Sequence, residues 1–260
     1  IYDTFFGFDL AKSIVERHGH MDAIVTSNSF AHIDDMVDVM RGINHLLKED
    51  GILAIQVHYA VSMVEKMQYD WIYHEHLSYY TLHSLSNFLL RFNFEIFDAR
   101  ETSMHGGSIR VFAQKTENKR KESSSLRQLR EKELNSGVDK LKFFAEFQGR
   151  MQKTRIEIRK LMSDILNRNK TIVGYGAPAR ATTLSAYIGI EFMKHHLQAV
   201  IDDSPAKQGA FMPGTHLKII SLIYLIMIAS CSNFYLTRKA FPKPLKDSIF
   251  HLLNHCSMHD

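Results

Sequence analysis

The 260 residues are 45% apolar and 23% charged with only five prolines, which excludes disordered, collagen-like and coiled-coil chains and leaves room for one large domain or two small ones. Thirty-two Lys plus Arg against 28 Asp plus Glu leave +4, too small an excess to imply a nucleic-acid partner. The two cysteines, Cys231 and Cys256, supply neither a disulfide framework nor a thiol zinc site, so a cytoplasmic setting is expected.

Ile1 to Asp9 has no basic region leading into an apolar stretch, and the absence of an initial Met suggests a fragment. The segment Asp22-Ala-Ile-Val-Thr-Ser-Asn28 predicts a buried strand. From Asp34 to Lys48 the apolar residues Met36, Val39, Met40, Ile43 and Leu47 recur at helical spacing, with Asp34 as the expected N-cap. Asp50-Gly51 is expected to break that helix before a second strand, Ile52-Leu-Ala-Ile-Gln-Val57. Strand, helix, strand predicts a parallel α/β unit.

A loop rich in aromatic residues and histidine, His58 to Tyr80, precedes a short helix near Thr81 or Ser84 that carries Leu85, Phe88 and Leu89 on one face. Phe94 to Ala99 and Ser108 to Ala113 predict two further strands separated by His105-Gly-Gly. Between Lys115 and about Asn169, apolar residues recur every three or four positions, which predicts one long helix or a helical pair. Lys115 to Lys160 holds fourteen basic and seven acidic residues, a +7 segment best explained as a solvated helical face. Thr171-Ile-Val-Gly-Tyr-Gly then predicts a strand ending in a glycine turn, with Pro178 opening a helix to about Tyr187. Leu197 to Asp203 predicts the next strand. The apolar run Ile219 to Cys231, thirteen residues, is short of the ~20 that a membrane helix needs and predicts a core segment rather than a membrane span.

The densest chemical constellation is Tyr69-Asp-Trp-Ile-Tyr-His-Glu-His-Leu-Ser-Tyr-Tyr80. On an extended segment His74 and His76 would share one face, and Tyr73 and Glu75 the other. His74, Glu75 and His76 are all possible metal ligands, but Glu75 and His76 are adjacent in sequence and cannot easily reach one ion, so no metal site is expected. General acid-base chemistry needs only a histidine, an orienting carboxylate and a tyrosine hydroxyl. Asn28-Ser-Phe-Ala-His32 lies at the carboxyl end of the first strand, where open parallel sheets bind ligands. His105-Gly-Gly-Ser-Ile-Arg110 combines two glycines with an arginine, and Gly174-Tyr-Gly-Ala-Pro-Ala-Arg180 is a glycine turn suited to anions at a helix N-terminus.

In this order, and together with Tyr73-His-Glu-His76, Asp202-Asp-Ser-Pro-Ala-Lys-Gln-Gly209 and Pro213-Gly-Thr-His216, these motifs resemble the S-adenosylmethionine-dependent C-methyltransferases that act on nucleotide-linked keto-deoxysugars. The resemblance spans roughly Phe5 to Leu217. It implies an α/β chain with a partial Rossmann-like methyltransferase domain at 1–115, a helical connector at 116–168 and a second Rossmann-like domain at 169–260. It places Tyr73, Glu75 and His76 at catalytic positions, with His76 as the base and His32 beside it. Asn28 and Ser29 are expected to bind the cofactor; His105, Gly106, Gly107, Arg110, Tyr175, Gly176, Arg180 and Asp202 are expected to bind substrate.

The family's cofactor loop and zinc-binding cysteines do not precede Phe5, Arg180 stands where the family commonly has Lys, and the resemblance ends near Ile219. The chain is therefore expected to be truncated at its N-terminus, to bind S-adenosylmethionine weakly and to carry a divergent tail. A non-catalytic nucleotide-sugar binding module is the second expectation.

Overall fold

The computed structural model describes residues 1–118 and 120–223; the divergent tail and most of the Ile219 to Cys231 run lie outside them. The chain divides into two compact units, Ile1–Met151 and Gln152–Asp260.

The first unit opens with α1 (Phe8–His18) and β1 (Met21–Ser27), followed after the one-turn helix Phe30–His32 by α2 (Met36–Leu46) and β2 (Leu47–His58). Asp35, rather than Asp34, caps α2: its side chain accepts from the Asp38 amide at 2.9 Å. The expected break at Asp50-Gly51 falls instead inside β2. The register with β1 jumps from Met21↔Leu47 to Ala23↔Ile52, so those polar residues are accommodated as an irregularity of the strand and do not end the helix.

Next come α3 (Ala60–Glu65), α4 (Leu82–Leu90), β3 (Phe94–Thr102) and β4 (Ser108–Lys115). Thr81 and Ser84 form a reciprocal capping box at the start of α4. The sheet order is β1-β2-β4-β3. β1 and β2 are parallel as expected, but β4 enters between β2 and β3 and is antiparallel to both. One face of this sheet, with Leu53, Ile55, Ile109 and Val111, packs against Val39, Met40 and Ile43 of α2 and Leu85 and Leu89 of α4 in a single core. The expectation of a buried β1 is corrected: it pairs only with β2, and Val25 is 74% exposed.

The basic stretch is a pair of helices, α5 (Ser124–Ser136) and α6 (Leu141–Asn167), separated at Gly137. Glu133 of α5 is buried, and its carboxylate accepts from the amides of Leu82 and His83 at the start of α4. That contact satisfies helix-end donors with a charge of the favoured sign.

In the second unit, β5 (Gly174–Tyr175), β6 (Val200–Ile201) and β7 (Ile219–Ile220) form a three-stranded parallel sheet in that order, with α7 (Ala179–Ile188) and α8 (Ile190–His196) between β5 and β6. β5 and β6 are shorter than their apolar runs predict. Ile172 and Leu197, outside the ladder, pack instead on Met162, Ile188 and Met193. Among the described residues, no helix is long and apolar enough to cross a membrane.

Candidate active site

The loop from Gln68 to Tyr80 is the centre of the site. Around Tyr73–His76 it is a turn, neither extended nor a regular helix: the His76 amide donates to the Tyr73 carbonyl at 3.0 Å. That closure brings the Tyr73 and His76 rings to 4.5 Å, whereas His74 is exposed. Phe30–His32, which follows β1, places the His32 ring 4.9 Å from His76. The two segments are tied by the Leu77 amide, which donates to the Ala31 carbonyl at 2.7 Å. Buried Tyr80 adds a second tie through its hydroxyl, which donates to Phe30 O at 3.3 Å.

The main chain sets the proton inventory of both histidines. His76 Nδ1 lies 2.8 Å from the Trp71 carbonyl, and His32 Nδ1 lies 2.7 Å from the Glu75 carbonyl. A carbonyl can only accept, so each Nδ1 carries a proton, and in the neutral ring the lone pair is then on Nε2. Burial pulls the His76 pKa below the ordinary imidazole value, and neighbouring His32 and His105 act in the same direction against the Trp71 carbonyl and Glu75. His76 is therefore a neutral imidazole at neutral pH. Burial also raises the Tyr79 phenol, so this neighbour stays protonated.

His105 reaches the same cluster from the β3–β4 connection, its ring 5.6 Å from Trp71. His105, Gly106 and Gly107 have φ of +52°, +83° and +148°, a run that glycine adopts most easily. A Cβ on Gly107 would sit 2.6 Å from Ser62 Cβ in the buried helix α3. Gly107→Ala is therefore expected to cost about 1–3 kcal/mol through backbone strain and overpacking. Urea unfolding tests this, and an unchanged midpoint would show that the loop relaxes freely.

At the carboxyl end of β1, Asn28 has φ +56°, donates its amide to Gln56 O at 2.8 Å, and keeps a buried side-chain oxygen without a hydrogen-bond partner. Ser29 bonds the Thr26 hydroxyl at 2.5 Å. Arg110 lies on β4, directly across from Gln56 in the register, and its guanidinium donates to the Gln56 side-chain oxygen at 2.7 Å. Gln56 is 4% exposed and was not among the expected site residues, although it is the one polar residue inside Ile52-Leu-Ala-Ile-Gln-Val57. Trp71, stacked on His76, was also not assigned a role. Among the described residues, no group of three His, Cys, Asp or Glu side chains is arranged to hold a metal.

Tyr175, Gly176, Arg180 and Asp202 belong to the second unit. Asp202 fastens its glycine turn: the carboxylate accepts from the amides of Ala177 at 2.7 Å and Ser204 at 2.9 Å, and Lys207 approaches at 3.4 Å. Burial opposes ionisation of this group, but those donors outweigh it and hold the pKa below the usual carboxylate value. Asp202 thus shapes the turn with its own oxygens already engaged. The Tyr175 hydroxyl donates to Asp203 at 2.7 Å, and that bond is the main reason its pKa is pushed up to about 12.

Residues 2–99 match a methyltransferase domain, and residues 103–225 match a C-methyltransferase C-terminal domain. The C-methyltransferase NovU of Streptomyces niveus is 31% identical over 216 residues, covering 83% of this chain and 51% of that protein. The chain therefore spans about half the length of this curated relative. Among solved structures, an S-adenosylmethionine-dependent methyltransferase from Anabaena variabilis is 13% identical, with a TM-score of 0.32 over 42% of this chain and 55% of that one. The magnesium protoporphyrin IX methyltransferase of Synechocystis, solved with bound S-adenosylhomocysteine, is 14% identical, with a TM-score of 0.28 over 38% of this chain and 47% of that one.

The sequence matches place the chain among methyltransferase-like proteins. More particularly, the chain belongs to the S-adenosylmethionine-dependent C-methyltransferase family.

Proposed function

We propose that the protein transfers a methyl group from S-adenosylmethionine to a carbon beside a ketone in a nucleotide-linked sugar, by way of an enolate. The observation that carries this reading is the His76 imidazole: held neutral by burial, its Nδ1 proton committed to the Trp71 carbonyl and its Nε2 available as a base.

Nε2 of His76 takes the α proton while the C–H electron pair moves towards the ketone oxygen. Tyr73, whose ring lies 4.5 Å from His76, brings the phenol suited to donating to that oxygen. Glu75 lends negative charge that favours the imidazolium once the proton has arrived. His32, its Nδ1 fixed on the Glu75 carbonyl, presents a second Nε2 and completes the catalytic set. S-adenosylmethionine, when bound, would supply an electrophilic sulfonium methyl group as the one-carbon donor. The orphan side-chain oxygen of Asn28 fits an amino or hydroxyl donor of such a cofactor, with Ser29 adjoining it.

His105, Gly106, Gly107 and Arg110 are placed on the substrate side of this site. Within the second unit, the glycine turn with Tyr175, Gly176 and Arg180, fastened by Asp202, suits the phosphate of a nucleotide. In this division 1–115 form the catalytic domain, 116–168 a connector and 169 onward the substrate domain. The low cysteine content suits a cytoplasmic enzyme.

Incubating the protein in D2O with a nucleoside-diphosphate-linked keto-sugar should exchange the α hydrogen, and labelled S-adenosylmethionine should then deliver its methyl group to carbon. Titration with dTDP and S-adenosylmethionine separates the rival: nucleotide binding with neither cofactor binding nor exchange would make the chain a non-catalytic nucleotide-sugar module.

A further inference from the structure

Trp71 is the only tryptophan in the sequence, and it sits where three histidines meet. Its indole lies parallel to the His76 imidazole, with centroids 5.5 Å apart and planes 7° apart. His58 lies 4.7 Å away, and His105 meets it edge-on at 5.6 Å and 72°. Buried Tyr69 anchors the short helix Tyr69–Trp71 that presents the indole. His58 is held in turn by its Nε2 bond to Gln68 Oε1 at 3.2 Å.

The Trp71 carbonyl fixes one nitrogen of His76, but one hydrogen bond leaves the imidazole free to tilt about that contact. An offset parallel indole removes the tilt, because stacked rings at this separation prefer one relative plane. It also covers one ring face against water, and desolvation favours the neutral imidazole. The other groups facing His76 are His32 at 4.9 Å, Tyr73 at 4.5 Å and Tyr79 at 6.1 Å, with the charges of Glu75 and His105 acting on it as well. None of these rings is coplanar with His76, since their interplanar angles are 55°, 44° and 89°.

We propose that the Trp71 side chain is a positioning residue, which holds the His76 ring plane and shields it so that Nε2 is presented in one orientation. This rests on the reading of His76 as the base.

Trp71→Ala and Trp71→Phe in the full chain test the proposal, with the His76 titration followed by the Cε1–H proton resonance. Trp71→Ala should raise the His76 midpoint towards the ordinary imidazole value and lower kcat by about 10- to 100-fold, the range that a misplaced catalytic group incurs, with little change in the KM for sugar nucleotide. Trp71→Phe, which keeps a flat ring, should recover most of both. In the wild type, tryptophan emission should be quenched as His76 protonates, and His76→Gln should remove that step. A Trp71→Ala variant with the wild-type midpoint and kcat overturns the proposal, as does a Trp71→Phe variant as impaired as Trp71→Ala. If His76→Gln keeps full turnover, the base assignment fails while the effect of Trp71 on the His76 resonance still stands, so the two failures are distinct.

Discussion

His76→Ala is expected to lower turnover by about 10²–10⁴-fold, the contribution typical of a positioned general base, while nucleotide binding stays nearly intact. The second unit's glycine turn is held by its own residues Asp202, Ala177 and Lys207. The wild-type rate should also follow pH in one direction. Burial lowers the His76 pKa in the folded protein, and the base works only when neutral. Activity is therefore full above that lowered pKa and is lost as pH falls through it. The midpoint should lie below the ordinary value of about 6.5. Steady-state kinetics between acidic and neutral pH measure it, and a midpoint at or above the ordinary value sinks the assignment. Equal loss of turnover and nucleotide binding in His76→Ala would mark the residue as structural.

Phe94→Ala should have the largest effect on stability, about 3–5 kcal/mol, as expected when a buried aromatic is cut back to a methyl group. Phe94 is fully buried at the start of β3, opposite Lys115 of β4, and shares its core with Leu85 and Leu89 of α4. The loss is a large part of the roughly 5–15 kcal/mol that holds a typical domain together. Leu90, adjacent on α4 to Leu89 but 51% exposed, provides the control: Leu90→Ala should stay within about 0.5 kcal/mol. Denaturant midpoints decide the matter, and similar losses at both positions would refute the assignment of the core face.

Much of the first unit is legible in its sequence because its elements are long and regular. The run Asp22 to Asn28, the helical spacing of Met36 to Leu47 and the Thr81–Ser84 start of α4 each rest on local rules. The insertion of β4 between β2 and β3 is not legible, because pairing order depends on contacts distant in sequence. Gly51 illustrates a second limit: it suggests a break locally, but the irregular β1–β2 register absorbs it. In the second unit, Ile172 and Leu197 look like strand residues because they are apolar. They are partly buried against a cluster that includes helix residues Met162, Ile188 and Met193, which the same pattern cannot reveal. At the site, Tyr73, Glu75 and His76 stand out in sequence as a cluster of side chains suited to acid-base chemistry, whereas His32 joins them only through the family resemblance. Trp71 and Gln56 were missed because their place beside His76 and Arg110 depends on tertiary packing, although a lone tryptophan among histidines and a lone glutamine in an apolar strand were visible signals.

The two anchors that set the histidine tautomers are main-chain carbonyls, those of Trp71 and Glu75. Evolutionary drift in the side chains at these positions leaves both acceptors in place, so the proton inventory survives substitution. Insertion or deletion is a different matter. One residue gained or lost between Trp71 and His76 would move a carbonyl away from its imidazole whatever the sequence, so these two anchors are sensitive to the length of the loop and not to the side chains that carry them.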